Sequence, residues 1–144
     1  ASGVDALLIR TSWLYGAVGK NFVRTVIQRA REGKTLRLID DQKGSPTWAN
    51  HVAEVTLDLV KNQVSGTYHV TDSGEATWYD LGREVLSICD LHCEIKSIST
   101  EDWRGAAPRP RYSVLDSSKA EGILGRKMTP WREALKTFLK DMPK

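Results

Sequence analysis

Three stretches of the chain hold residues able to grip a small polar ligand: Arg10-Thr-Ser-Trp-Leu-Tyr-Gly16, Asp40-Asp-Gln-Lys-Gly-Ser-Pro-Thr47 and Arg109-Pro-Arg-Tyr-Ser-Val-Leu-Asp116. Trp13 follows an apolar, strand-like run, and open α/β sheets present their ligand-contacting groups at such strand ends. Its indole is either a flat wall for a ligand or buried area in a core, and for tryptophan burial is the cheaper explanation. Gln42 follows two aspartates at the end of a second strand-like run, where polar side chains would line a cleft. Arg109 sits between prolines. Its planar fork suits a phosphate, and an exposed surface arginine explains it equally well.

Other chemistries fail on residue type or spacing. Proton donation by a tyrosine tuned by a lysine one helical turn away needs Tyr-x-x-x-Lys, and the nearest echo is Tyr79-x-x-x-Arg83 in an ordinary amphipathic helix. A dinucleotide loop needs three spaced glycines at a strand-to-helix turn. Gly16-Ala-Val-Gly19 approaches this, but Phe22 stands at the third position. Ser45 lacks the glycine frame of a hydrolase nucleophile. Cys89, His92 and Cys93 are too few to close a metal site, so two reduced thiols near a helix end are expected. His51 and His69 are isolated. The five tryptophans, at 13, 48, 78, 103 and 131, would stack bases only if clustered, and three lie near helix starts, where packing explains them.

The elements that must position these residues follow from periodicity. At 144 residues, 40% apolar and 27% charged, residues 1–144 are expected to form a single domain. A net charge of +3 from 21 basic and 18 acidic residues, spread along the chain, does not imply nucleic acid. No apolar run approaches the roughly 20 residues of a membrane span, and no signal-peptide pattern is visible, so a cytoplasmic protein is expected. Val4 to Ile9 is strand-like and begins so near residue 1 that the start looks cut. Asn21 caps a helix with apolar residues at 22, 23, 26, 27 and 30, stopped by Gly33. A strand over Leu36 to Ile39, a helix over Ala49 to Lys61 and a strand over Thr67 to Val70 follow. Thr77-Trp-Tyr-Asp80 opens a capped helix, Glu94 to Ser99 is a strand, and Arg104 to Pro110 is irregular. Asp116 caps a short helix, and the last helix has Thr129 as cap and Pro130 as its first residue. Strands alternating with helices give an α/β class with parallel pairing.

Taken together, the three stretches resemble the dTDP-4-dehydrorhamnose reductase family of extended short-chain dehydrogenases, over nearly the whole chain. The likeness is to the C-terminal portion of that NAD(P)-binding, Rossmann-like fold, without the N-terminal dinucleotide-binding half. The resemblance implies reduction of the 4-keto group of dTDP-6-deoxy-L-lyxo-4-hexulose to dTDP-L-rhamnose, with hydride from NADPH or NADH and a proton from a tyrosine. The glycine loop, tyrosine and lysine would lie in the missing half. No catalytic, cofactor-binding or metal-binding residue is therefore expected in this chain, which alone should be inactive and should not bind NADPH. The implied partners are a dTDP-sugar and the missing Rossmann half, with room for a homodimer and no role for nucleic acid or membrane. In that family the tryptophan of the first stretch packs against the sugar, which makes Trp13 a substrate contact. Asn21, Phe22, Gln42 and Arg109 match family phrases around the substrate-binding lobe, whereas Trp78-Tyr79 and Pro130-Trp131 match and look structural. His51 departs from the acidic residue usual there, which leaves Asn50 as an alternative cap. A non-catalytic regulatory or interaction module of the same superfamily is the competing expectation.

Overall fold

The computed structural model describes residues 5–103 and 108–142. In chain order these form β1 (Leu7–Arg10), β2 (Leu14–Tyr15), α1 (Phe22–Arg31), β3 (Leu36–Ile39), β4 (Lys43–Gly44), β5 (Thr47–Trp48), α2 (Ala49–Lys61), β6 (Gly66–His69), β7 (Ala76–Thr77), α3 (Trp78–Ile88), β8 (Ile95–Ile98), α4 (Ser118–Leu124) and α5 (Trp131–Asp141). The expected α/β class with parallel pairing is present. β1 pairs with β6 from Leu7↔Gly66 to Arg10↔His69, and β3 with β8 from Leu36↔Ile95 to Ile39↔Ile98, both parallel. A parallel pair needs a long crossover, which the intervening helices supply.

Each parallel pair is covered by its own helices. On β1, alternate residues Leu7 and Ile9 turn towards a core of Val55 and Leu59 from α2, Tyr68 from β6 with Val70 just after it, Ala120 from α4, and Met128 from the segment before α5. Around β3, the larger core takes Val23, Val26, Ile27 and Ala30 from α1, Leu81, Val85 and Leu86 from α3, and Trp131, Leu135 and Phe138 from α5. These helices hold by their ends as well as their faces. Asn21 Oδ1 accepts from Arg24 N, and Arg29 and Arg31 close the last turn of α1 against its negative end. Thr77 and Asp80 form the expected capping box of α3, each side chain accepting from the other's backbone N–H.

The start of the last helix differs from the sequence-based expectation. Pro130 is extended (ψ 135°) and the helix begins at Trp131, so Thr129 is not its cap. The cause is a bond exchange with the β6–β7 loop: Ser73 N donates to Thr129 O (2.8 Å) and Trp131 N to Ser73 O (3.0 Å), holding Pro130 in a parallel bridge. Asp116 behaves nearly as expected, its Oδ1 accepting from Ser118 N at 2.8 Å. Ser117, however, occupies the cap position of α4. The two-residue strands β2, β4, β5 and β7 escaped the sequence reading because they are too short to show any period. Val4 and residues 104–107 of the irregular segment lie outside the described residues.

Candidate functional site

Because the strands of each main pair run in parallel, each pair brings two loops together at its carboxyl end: Trp13 after β1 with Thr71-Asp72 after β6, and Asp40-Asp41-Gln42 after β3 with Ser99-Thr100 after β8. Trp13 leaves β1 through a left-handed backbone, φ 47°. For a bulky side chain this conformation is strained by about 1–3 kcal/mol and persists only where the surroundings enforce it. Here the Trp13 carbonyl accepts from Thr47 N (3.2 Å), and the adjoining β2 pairs with β5. The indole lies flat on that of Trp78, with centroids 3.6 Å apart and planes 6° apart, and Phe22 tilts against Trp78 at 4.8 Å. Beneath it, Gly44 is buried, and a methyl group on its Cα would run into the five-membered ring of the Trp13 indole.

The other sequence-derived candidates take different positions. Gln42 is only 4% exposed, and both ends of its amide are engaged: Nε2 donates to Thr100 Oγ1 (3.1 Å) and Oε1 accepts from Trp78 Nε1 (3.2 Å). Asn21 spends its Oδ1 on capping α1 and its Nδ2 on the Gly16 carbonyl (2.8 Å), so it shapes the loop between β2 and α1. Arg109 is exposed, on a strap whose residues Arg111 to Ser113 run beside β4: Lys43 N donates to Arg111 O and Ser113 N to Lys43 O, both at 2.8 Å. The Lys43–Glu75 ion pair (2.7 Å) and Tyr112 Oη, which donates to Glu75 Oε2 (3.3 Å), fasten the strap further. Further along it, Thr71, Asp72, Gly74, Leu115, Asp116 and Met128 line a cleft of about 270 Å³. Trp13, Phe22 and Gln42 thus converge on one aromatic cluster, with Asn21 at its flank and Arg109 on the neighbouring strap. Trp78 is the centre of that cluster. Its position behind a capping box made it look purely structural in the sequence.

His51 also proves to be more than a departure. Asp72 Oδ2 accepts from N of Trp48, the residue that precedes α2 (2.9 Å), while Oδ1 pairs with His51 Nδ1 at 2.7 Å. Asn50 is exposed inside the helix and is not the cap. Burial, the largest influence, raises the Asp72 carboxyl above the ordinary aspartate value, while the bonds from Trp48 and His51 pull it back down. A carboxyl whose folded pKa is raised contributes stability that is complete below the unfolded value of 3.8 and is lost as pH rises through the folded value. Asp72→Asn is therefore expected to remove that downward slope. In urea titrations across the acid range, the mutant's stability relative to wild type should rise with pH above a constant offset; a flat difference contradicts this.

Tyr15, beside this pair, is 2% exposed and its hydroxyl has no hydrogen-bond partner among the described residues. Burial, with the Asp72 charge second, raises its pKa far above the ordinary tyrosine value. A sealed, reluctant hydroxyl of this kind is unsuited to giving a proton to a ligand. Tyr79 has the Arg83 guanidinium 5.8 Å over its ring, a packing contact. Cys89 and Cys93 are free thiols pushed up by burial, and the described residues contain no group of three or more metal-ligating side chains.

The model of the RmlD substrate binding domain matches residues 1–143. The chain belongs to that family. The spore coat polysaccharide biosynthesis protein SpsK of Bacillus subtilis is 39% identical over 137 residues, covering 95% of this chain and 48% of that protein. A probable dTDP-4,6-dihydroxy-2-methyloxan-3-one 4-ketoreductase of Streptomyces antibioticus is 37% identical over 139 residues, covering 95% and 47%. The crystal structure of dTDP-4-dehydrorhamnose reductase from Bacillus anthracis, in complex with NADP, matches with a TM-score of 0.89 at 32% identity, over 94% of this chain and 48% of that one. The chain spans about half the length of the curated relatives it matches.

The Gly16–Gly19 loop is not built as a phosphate cradle. In the Gly16–Gly19 loop the Gly16 and Ala17 carbonyls are turned onto Asn21 and Arg24, and the first turn of α1 is capped by Asn21 itself. A phosphate cradle needs backbone N–H groups free to face the anion. No helix is long and apolar enough to cross a membrane among the described residues.

Proposed function

We propose that residues 1–144 act as one domain, the substrate-binding half of a dTDP-4-dehydrorhamnose reductase. The complete enzyme reduces the 4-keto group of dTDP-6-deoxy-L-lyxo-4-hexulose to dTDP-L-rhamnose with hydride from NADPH or NADH, in the cytoplasm. The dinucleotide site and the proton-donating tyrosine belong to the remainder of that enzyme, which packs against this half, and the enzyme works as a homodimer. The observation that carries this reading is the Trp13–Trp78 stack at the carboxyl ends of the strands, held in a strained backbone that a core residue has no need of.

In this reading the Trp13 indole is the apolar wall against which the hexulose ring settles, with the reacting carbonyl held towards the other half. Phe22 and Trp78 back the wall. Gln42 and Asn21 act through the groups they hold, Gln42 through the Trp78 indole and Asn21 through the Gly16 loop. Arg109 reaches from the strap to the diphosphate, where its two-pronged donor geometry matches the oxygens. The test is turnover: the complete protein, given the dTDP-hexulose and NADPH, is expected to consume NADPH and release dTDP-L-rhamnose. Binding of the dTDP-sugar without turnover would return the chain to a non-catalytic module of the same superfamily.

A further inference from the structure

The amide of Gln42 has only one way to face. Thr100 N and Thr100 Oγ1 both donate to Asp41 Oδ1, at 2.9 and 2.6 Å, so the single hydroxyl proton is committed to a carboxylate and Oγ1 keeps only lone pairs. The Gln42 group 3.1 Å from Oγ1 must then be the NH2, which turns Oε1 to the Trp78 N–H at 3.2 Å. An indole nitrogen only donates, so the chain of bonds closes without conflict. Asp41 is a dependable acceptor, since the bonds from Thr100 hold its carboxyl below the usual aspartate range. Stacking alone tolerates sliding and in-plane rotation, because its energy varies slowly with offset. A hydrogen bond to the ring nitrogen does not.

We infer that Thr100, at the end of β8, is a positioning residue for the substrate wall: through Gln42 it sets the indole of Trp78, and through the stack the plane of Trp13. The inference rests on the proposed role of Trp13, but its first test is independent of it. Two stacked indoles 3.6 Å apart couple excitonically, and the couplet they give in far-ultraviolet circular dichroism is set by the in-plane angle between the rings. Thr100→Val keeps the side-chain shape and removes the hydroxyl; it is expected to lose most of the couplet while the melting temperature falls by several degrees, as one buried donor left unpaired would cause. Thr100→Ser should restore it. Gln42→Met, which removes both bonds at similar length, should reproduce the loss and stands in if Thr100→Val folds poorly.

In the complete enzyme Thr100→Val should raise KM for the dTDP-hexulose about three- to tenfold, as expected for one neutral hydrogen bond, with kcat changed less than about twofold. A wild-type protein without the couplet, a couplet unchanged in both variants, or an unchanged KM despite a lost couplet overturns the inference. Absence of turnover in the wild-type enzyme would instead defeat the reductase reading, and the spectrum would still judge Thr100.

Discussion

In the complete reductase, Trp13→Ala is expected to lower kcat/KM for the dTDP-hexulose by about 1–3 kcal/mol of transition-state stabilisation, roughly five- to 150-fold, while Trp13→Phe keeps most of it. The loss comes from position as well as contact, since a sugar no longer pressed against a flat wall samples fewer reactive geometries. Stability should fall only modestly. The indole is half-buried, and although alanine loses the stack on Trp78, it tolerates the left-handed turn at least as well. If Trp13 were simply core, truncation would instead cost about 3–5 kcal/mol of folding energy with unchanged kinetics per folded molecule. Melting temperature and kcat/KM measured on both variants separate the two.

Gly44→Ala approaches the same wall from beneath and is expected to have the second largest effect. Its new methyl group overlaps the five-membered ring of Trp13, which must tilt off Trp78 or push β4 aside. Overpacking of this kind costs about 1–3 kcal/mol, and a displaced wall should lower kcat/KM nearly as much as removing it. The steric cause has its own signature. In the double variant Gly44→Ala/Trp13→Ala the clash is gone, so the two stability losses should fall well short of adding. Urea titration of both single variants and the double variant measures this; additive losses would mean that Gly44 matters for some other reason.

The helices and long strands were legible in the sequence because each carries its own signal. α1 has Asn21 and the spacing of Val23, Val26, Ile27 and Ala30, and α3 has the Thr77–Asp80 box. What escaped depends on partners distant in sequence. The late start of α5 is imposed by Ser73, and Trp48, just before α2, is held by Asp72; neither is adjacent to the helix it serves. At the site, Trp13 and Gln42 stood out by type and place. Asp41 stood beside Gln42 in the same strand-end cluster, whereas Trp78 and Thr100 did not stand out, because their importance lies in a chain of hydrogen bonds between two loops and the start of α3. Arg109 was visible as a charge between prolines, while the strap that carries it is set beside β4 by backbone bonds of Arg111 and Ser113 to Lys43, which leave no trace in residue type.

The most direct measurement is a crystal structure of the complete enzyme with dTDP-L-rhamnose bound. The pyranose ring is expected in van der Waals contact with the Trp13 indole, within about 4 Å, and the diphosphate within reach of Arg109. A sugar ring seated away from the carboxyl ends of β1 and β3, with Trp13 touching only Trp78 and Gly44, would contradict it.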